Sequence, residues 1–224
     1  MGFANSKVVN FCKNKVKLVR GGLNVLLKRN SSTDENSVKL AAYTIILYIS
    51  SLFVPFVVVA SYQSLIYYSR SQWLFATPFS AYITFMAGML YAALVLTVYL
   101  IFRQRWEGPK FKWTTVFLLI ISIPAFILSL TTYYYIDEKG IHNNSLTSLT
   151  EKEYEWEDIA KVKIVYRNHQ GTTQYYQYQF EKKDGSVITI PYDVKFRENI
   201  RRIEDKINKY NILVTDNFKN PIVD

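Results

Sequence analysis

Three stretches of the chain carry no Asp, Glu, Lys or Arg: Leu40 to Ser69, Ser71 to Phe102 and Trp113 to Ile136, of 30, 32 and 24 residues. A helix needs roughly 20 mainly apolar residues to cross a bilayer core of about 30 Å, so each stretch can span with some tilt. The pattern predicts a transmembrane region of three helices over residues 40–136. Pro55 and Pro124 each remove a backbone donor in mid-span, which predicts a kink in the first and third helix. In the second, Thr84, Gly88 and Ala92 recur every four residues and form a small-residue stripe where a neighbouring helix of the bundle can approach closely.

Past Asp137 the period changes to two. Ala160, Val162, Ile164 and Tyr166 alternate with Lys161, Lys163, Val165 and Arg167, and Tyr176, Tyr178 and Phe180 alternate with Gln177, Gln179 and Glu181, which predicts half-buried strands. Lys183-Asp184-Gly185-Ser186 is a hairpin turn, and His169-Gln170-Gly171-Thr172 links the two longer strands. After Pro191 the helical period returns, with Phe196, Ile200, Ile203 and Ile207 on one face and Asp193 as N-cap. Residues 137–224 therefore read as a small α+β domain, a run of antiparallel strands closed by one amphipathic helix. A last extended piece is expected near Ile212 to Thr215.

Residues 1–39 form a third region. Apolar positions such as Val8, Phe11, Val19 and Leu26 are interleaved there with Lys7, Lys13, Lys15, Lys17, Arg20, Lys28 and Arg29. This suits an amphipathic helix lying in the headgroup plane, where each basic side chain near an anionic surface contributes about 1 kcal/mol.

Charge then orients the chain. Residues 1–39 hold eight Lys and Arg against two acids, the first inter-helix loop holds only Arg70, and the second holds Arg103, Arg105, Lys110 and Lys112 against Glu107. From Asp137 onward 14 basic residues face 15 acids. The net charge of +9 thus sits beside the membrane, which removes most support for a nucleic-acid partner. Under the positive-inside rule the N-terminus and second loop are cytoplasmic, and three crossings place the C-terminal domain outside the cell membrane.

Little in the sequence points to chemistry. The single Cys12 excludes an intrachain disulfide and any multi-Cys metal site. His142 and His169 fall in expected turns and read as surface residues, and no nucleophile-elbow, zincin or phosphate-loop pattern is present. No catalytic residue, cofactor or metal is expected, and the protein reads as a non-enzyme. Glu151, Glu153, Glu155 and Glu157 would share one strand face and could offer oxygens to a hard cation such as calcium. Like charges on one face are more often the dress of a solvated edge. Tyr175, Tyr176 and Tyr178 leave at least one ring outward and form the candidate protein-partner surface.

The order Tyr135-Ile136-Asp137-Glu138-Lys139-Gly140-Ile141, then Trp156-Glu157-Asp158-Ile159, then Phe180-Glu181-Lys182-Lys183-Asp184-Gly185-Ser186-Val187-Ile188 and a terminal helix resembles the bacterial PH-like domains that follow membrane helices in small membrane proteins. The resemblance covers about Tyr133 to Tyr210. It implies a binding or assembly role in the envelope and carries no catalytic motif. Where lipid-binding eukaryotic relatives cluster Lys and Arg between the first two strands, this chain has His142-Asn143-Asn144-Ser145 followed by acids, so phosphoinositide binding is not expected. The expected partners are the anionic lipids of the inner leaflet and a protein. The alternative reading is a protective membrane protein whose spans intercept a membrane-active toxin or phage factor.

Overall fold

Proline and the loss of apolar continuity decide where the helices break. The computed structural model describes residues 35–103, 108–146 and 150–223. The first apolar stretch is two helices, α1 (Glu35–Ser50) and α2 (Val54–Ile66), interrupted just before Pro55, which sits in the first turn of α2. The ring cannot donate to the ladder and clashes with the preceding turn, so the chain restarts a helix there instead of continuing one. α3 (Phe79–Phe102) is unbroken. The third stretch is α4 (Pro109–Ile120) and α5 (Ile123–Thr131), with a turn at Ile121 and Ser122 just ahead of Pro124.

Among the described residues two helical segments are long and apolar enough to cross a membrane, α3 with 24 residues and Pro109–Thr131 with 23. At about 1.5 Å per residue each reaches roughly 35 Å. α1 and α2 pass the same test only as a pair. The outward faces suit lipid: Ile45, Ile49, Val57, Leu65, Leu94, Ile101 and Phe117 are all exposed. Several hydroxyls within these helices are turned back on carbonyls of their own helix, as in Thr44 to Leu40 (2.8 Å) and Thr97 to Ala93 (2.8 Å).

Both later apolar stretches also contain a strand that hydropathy conceals. β1 (Leu74–Ala76) precedes α3, and β2 (Tyr133–Ile136) follows α5. They pair antiparallel with each other and continue into β3 (Gly140–Asn144) and β4 (Lys152–Glu155), giving a sheet ordered β1-β2-β3-β4. The boundary expected at 136/137 therefore falls inside a sheet. A second sheet holds β5 (Ile159–His169), β6 (Thr172–Lys182), β7 (Val187–Pro191), β8 (Leu213–Asp216) and β9 (Ile222–Val223), with α6 (Val194–Lys209) after β7. β5, β6 and β7 are antiparallel, whereas β8 and β9 run parallel to β5.

The chain forms two compact units. One contains α1, α3 from Met89 and α4; Tyr48 and Thr97 share a hydrogen bond of 3.2 Å there, and Tyr99 stacks on Phe111 at 5.6 Å. The other contains α2, α3 up to Gly88, α5 and both sheets. Its core is built from Leu74, Ile136, Ile141, Trp156, Val162, Phe180, Ile190, Phe196 and Ile203, so residues of both sheets and α6 bury one another. Asp193 caps α6 as expected, accepting from the Phe196 N–H at 2.8 Å.

Within this unit the helix ends are bolted to the sheets. The Trp73 N–H donates to the Ile136 carbonyl at 2.8 Å, its ring lies 6.5 Å from that of Trp156, and Lys195 of α6 donates to the Phe75 carbonyl at 3.0 Å. Gln63 of α2 is fully buried and donates to the carbonyls of Ser129 (3.0 Å) and Thr132 (2.8 Å) at the end of α5.

Candidate functional site

Two places in the larger unit gather side chains beyond what packing needs. The first is an aromatic groove on the second sheet. A register irregularity between Val165 and Tyr166 leaves Tyr176 without a partner on β5, so Tyr166 pairs with Tyr175. An extra residue in one strand reverses the alternation beyond it. The ring of Tyr175 consequently falls on the same face as Tyr178 and stacks on Tyr192 at 4.8 Å, while Tyr176 lies under the Arg167 guanidinium at 5.1 Å.

Tyr166 lies 4.8 Å from Tyr175 and 5.1 Å from Phe218, so four rings, Phe218, Tyr166, Tyr175 and Tyr192, form a continuous row. Tyr175 is 47% exposed and Phe218 59%. Thr173, Gln174, Asp193, Val194 and Arg197 complete a groove of about 550 Å³ beside Tyr175 and Tyr192. The Tyr166 phenol is pushed up to about 12, first by burial and then by its hydrogen bond to Tyr175.

The candidate surface of Tyr175, Tyr176 and Tyr178 is thus corrected at one position. Tyr178 is 3% exposed, packed against Phe180 and Phe196, and belongs to the core. A similar irregularity between Ile159 and Lys161 turns Ala160, expected inward, to solvent.

The second place surrounds His142. It was expected in a surface turn, but the register sets it opposite Tyr135 on β2 and Glu153 on β4, in mid-sheet, and it is 5% exposed. The Tyr135 ring stacks on the imidazole at 4.3 Å. Glu151 Oε1 is 3.1 Å and Glu153 Oε1 3.6 Å from Nδ1, and Asp137 Oδ1 is 3.4 Å from Nε2. None of these approaches has hydrogen-bond geometry, so both ring nitrogens are buried without a hydrogen-bond partner. Both oxygens of Glu151 are held by tyrosines: the Oε1 near the imidazole accepts from the Tyr135 hydroxyl at 2.8 Å, and Oε2 accepts from the Tyr133 hydroxyl at 3.3 Å. Of the four alternating glutamates, Glu151 and Glu153 converge here; Glu155 and Glu157 do not join them. His169 ends β5 and is exposed, as expected of a turn residue.

Gly88 of the small-residue stripe faces α5, where an added Cβ would meet Phe126 at 2.9 Å. Thr84 donates to the Ser80 carbonyl of its own helix at 2.8 Å, and Ala92 is half-buried. The membrane-surface set Lys7, Lys13, Lys15, Lys17, Arg20, Lys28 and Arg29 lies outside the described residues. No protein-family model and no curated protein matches the chain.

Proposed function

We propose that the protein is a non-enzymatic, three-span membrane protein that presents its C-terminal PH-like domain as a protein-binding or assembly module at the membrane surface. The observation that carries this reading is the half-open row of Phe218, Tyr166, Tyr175 and Tyr192. Aromatic rings offer a large contact area at a small entropy cost and dominate binding hot spots, and here each ring is held against the next. The Arg197 side chain at the groove adds a donor for a carboxylate or carbonyl of the partner.

Chain connectivity supports the orientation. α3 begins just past β1 and Pro109–Thr131 ends just before β2, so the connecting loop with Arg103 and Arg105, and Lys110 and Lys112 in the first turn of α4, belong to the helix ends remote in sequence from the sheet. That basic loop belongs in the cytoplasm, which leaves the domain outside. The eight basic residues of the N-terminal segment belong with the loop, which requires α1 and α2 to act as one crossing, bent ahead of Pro55.

The test uses photo-crosslinking residues at Tyr175, Phe218 and the α6 surface residue Glu198 of the full chain in cells, with sidedness reporters after residue 224 and within 104–107. The proposal expects discrete protein adducts at Tyr175 and Phe218, none at Glu198, an outside C-terminus and an inside loop. Adducts absent at both groove positions would sink the binding role. Two inside reporters would sink the topology.

A further inference from the structure

We propose that His142, Glu151 and Glu153 form a binding site for a first-row divalent transition ion, zinc or manganese. A cluster of acids alone would not carry this; the buried imidazole does. Its side chain is 7% exposed, both nitrogens lack hydrogen-bond partners, and Nδ1 lies within 3.1 Å and 3.6 Å of two carboxylate oxygens. A buried polar atom left unsatisfied keeps its full desolvation penalty, and a cation lying between Nδ1 and the two carboxylates satisfies Nδ1 and neutralises the acids together.

The spacing fits. Ligand atoms about 2.1 Å from a tetrahedral zinc lie about 3.4 Å from one another. Nδ1 stands 3.1 Å and 3.6 Å from the two carboxylate oxygens, and the three ligand atoms all lie within 4.8 Å of one another.

The outer ring has the form that metal sites use. A ligating histidine characteristically turns its other N–H to a carboxylate, which fixes the ring and its tautomer. Nε2 lies 3.4 Å from Asp137 Oδ1, close but short of hydrogen-bond geometry, and that oxygen is itself fixed by the backbone N–H groups of Lys139 (2.8 Å) and Gly140 (3.1 Å). The Tyr135 and Tyr133 hydroxyls hold Glu151 in the same way. Glu151 and Glu153 have side chains 31% and 59% exposed, which leaves an entry path and room for water as a further ligand.

The donor set decides the class of ion. Calcium and magnesium favour all-oxygen shells, as the run of alternating glutamates alone would suggest, whereas imidazole with carboxylates suits zinc and manganese. The bound ion would tie β3 to the segment entering β4. The proposal is independent of the partner-binding reading, because neither ligands nor outer ring touch the aromatic groove.

The experiment uses the full chain in detergent, purified without a polyhistidine tag and stripped with chelator. Zinc, manganese and calcium are titrated separately, bound metal is counted by elemental analysis, and cobalt is added as an optical probe. The expected result is one zinc or manganese per chain, visible cobalt bands, and no competition by calcium at about 1 mM. His142→Asn and Glu153→Gln should each weaken binding about 100-fold or more, Asp137→Asn about 10- to 100-fold, and Glu155→Gln should leave it unchanged. Because His142 is buried, its variant is checked for folding by near-ultraviolet circular dichroism; the exposed Glu153→Gln supplies the result if His142→Asn unfolds. No retained ion in the unmutated protein, or unchanged affinity in Glu153→Gln, overturns the site.

Discussion

The Thr77 hydroxyl, just past β1, donates to Gln63 Oε1 of α2 at 2.6 Å, a hydrogen bond between two residues separated by a turn and a strand. The amide nitrogen of the same side chain serves the carbonyls of Ser129 and Thr132, so one buried glutamine of α2 satisfies polar groups at the β1 exit and at the end of α5. Ser129 and Thr132 are themselves buried, so these carbonyls have no water to fall back on. Gln63→Met, which keeps the volume, should cost about 1–3 kcal/mol for each group left unsatisfied. The loss should appear as a melting point in detergent lower by several degrees. A role in packing alone predicts a neutral Gln63→Met.

Gly140 opens β3 directly beneath β4. A Cβ there would drive into the backbone of Tyr154 and Glu155, lying 2.9 Å from the Glu155 Cα, and backbone cannot yield as a side-chain tip can. Gly185 differs: its φ is 83°, and open space surrounds it. Gly140→Ala should therefore destabilise by about 3 kcal/mol or more, and Gly185→Ala by about 1 kcal/mol from conformation alone. Thermal melts of the two variants compare a steric requirement with a dihedral one. Equal losses would show that the close approach at Gly140 relaxes.

The sequence carried the features set by local chemistry. The turn at Lys183 to Ser186, the Asp193 cap and the interruptions ahead of Pro55 and Pro124 each depend on residues within a few positions of one another. β1 was not legible, because Leu74, Phe75 and Ala76 inside an apolar run look alike in a strand and in a span, and only pairing with β2 separates them. The burial of His142 was hidden for a related reason: His-Asn-Asn-Ser has the composition of a turn, and its strand state is fixed by Tyr135 and Glu153, seven and eleven residues away. The charge of Lys206 by itself points to the exposed face of α6. The side chain is buried instead, paired with Glu138 and held 5.8 Å from the Trp73 ring centroid, contacts distant in sequence.

Gly88 lets α5 approach α3 so closely that an added Cβ would lie 2.9 Å from the Phe126 ring, which also packs on Phe85 at 4.9 Å. Gly88→Leu should destabilise the protein by about 1–3 kcal/mol through overpacking. Combining it with Phe126→Ala should recover part of that loss, because the truncated ring leaves room for the new side chain. A double-mutant cycle on melting in detergent measures the coupling, expected at about 1 kcal/mol or more and favourable. Strictly additive losses would mean that the contact does not set the helix spacing.

Tyr133 sits where α5 gives way to β2, and its phenol is pushed up to about 12, mainly by burial and then by the charge and hydrogen bond of Glu151. An unfolded tyrosine ionises near pH 10, so between about pH 10 and 12 the unfolded chain releases a proton that the folded chain keeps. Stability contributed by the neutral phenol is thus full below pH 10 and is lost as the pH rises toward 12. Stability measured against pH should fall across that window, and Tyr133→Phe should flatten part of the fall. In the folded protein, tyrosinate absorbance near 295 nm should show the Tyr133 contribution, taken as the difference from Tyr133→Phe, only toward pH 12. Glu151→Gln should bring that step to lower pH, since it removes the negative charge that opposes ionisation. A Tyr133 step at pH 10 in the unmutated protein would mean that Glu151 and burial do not act on this hydroxyl.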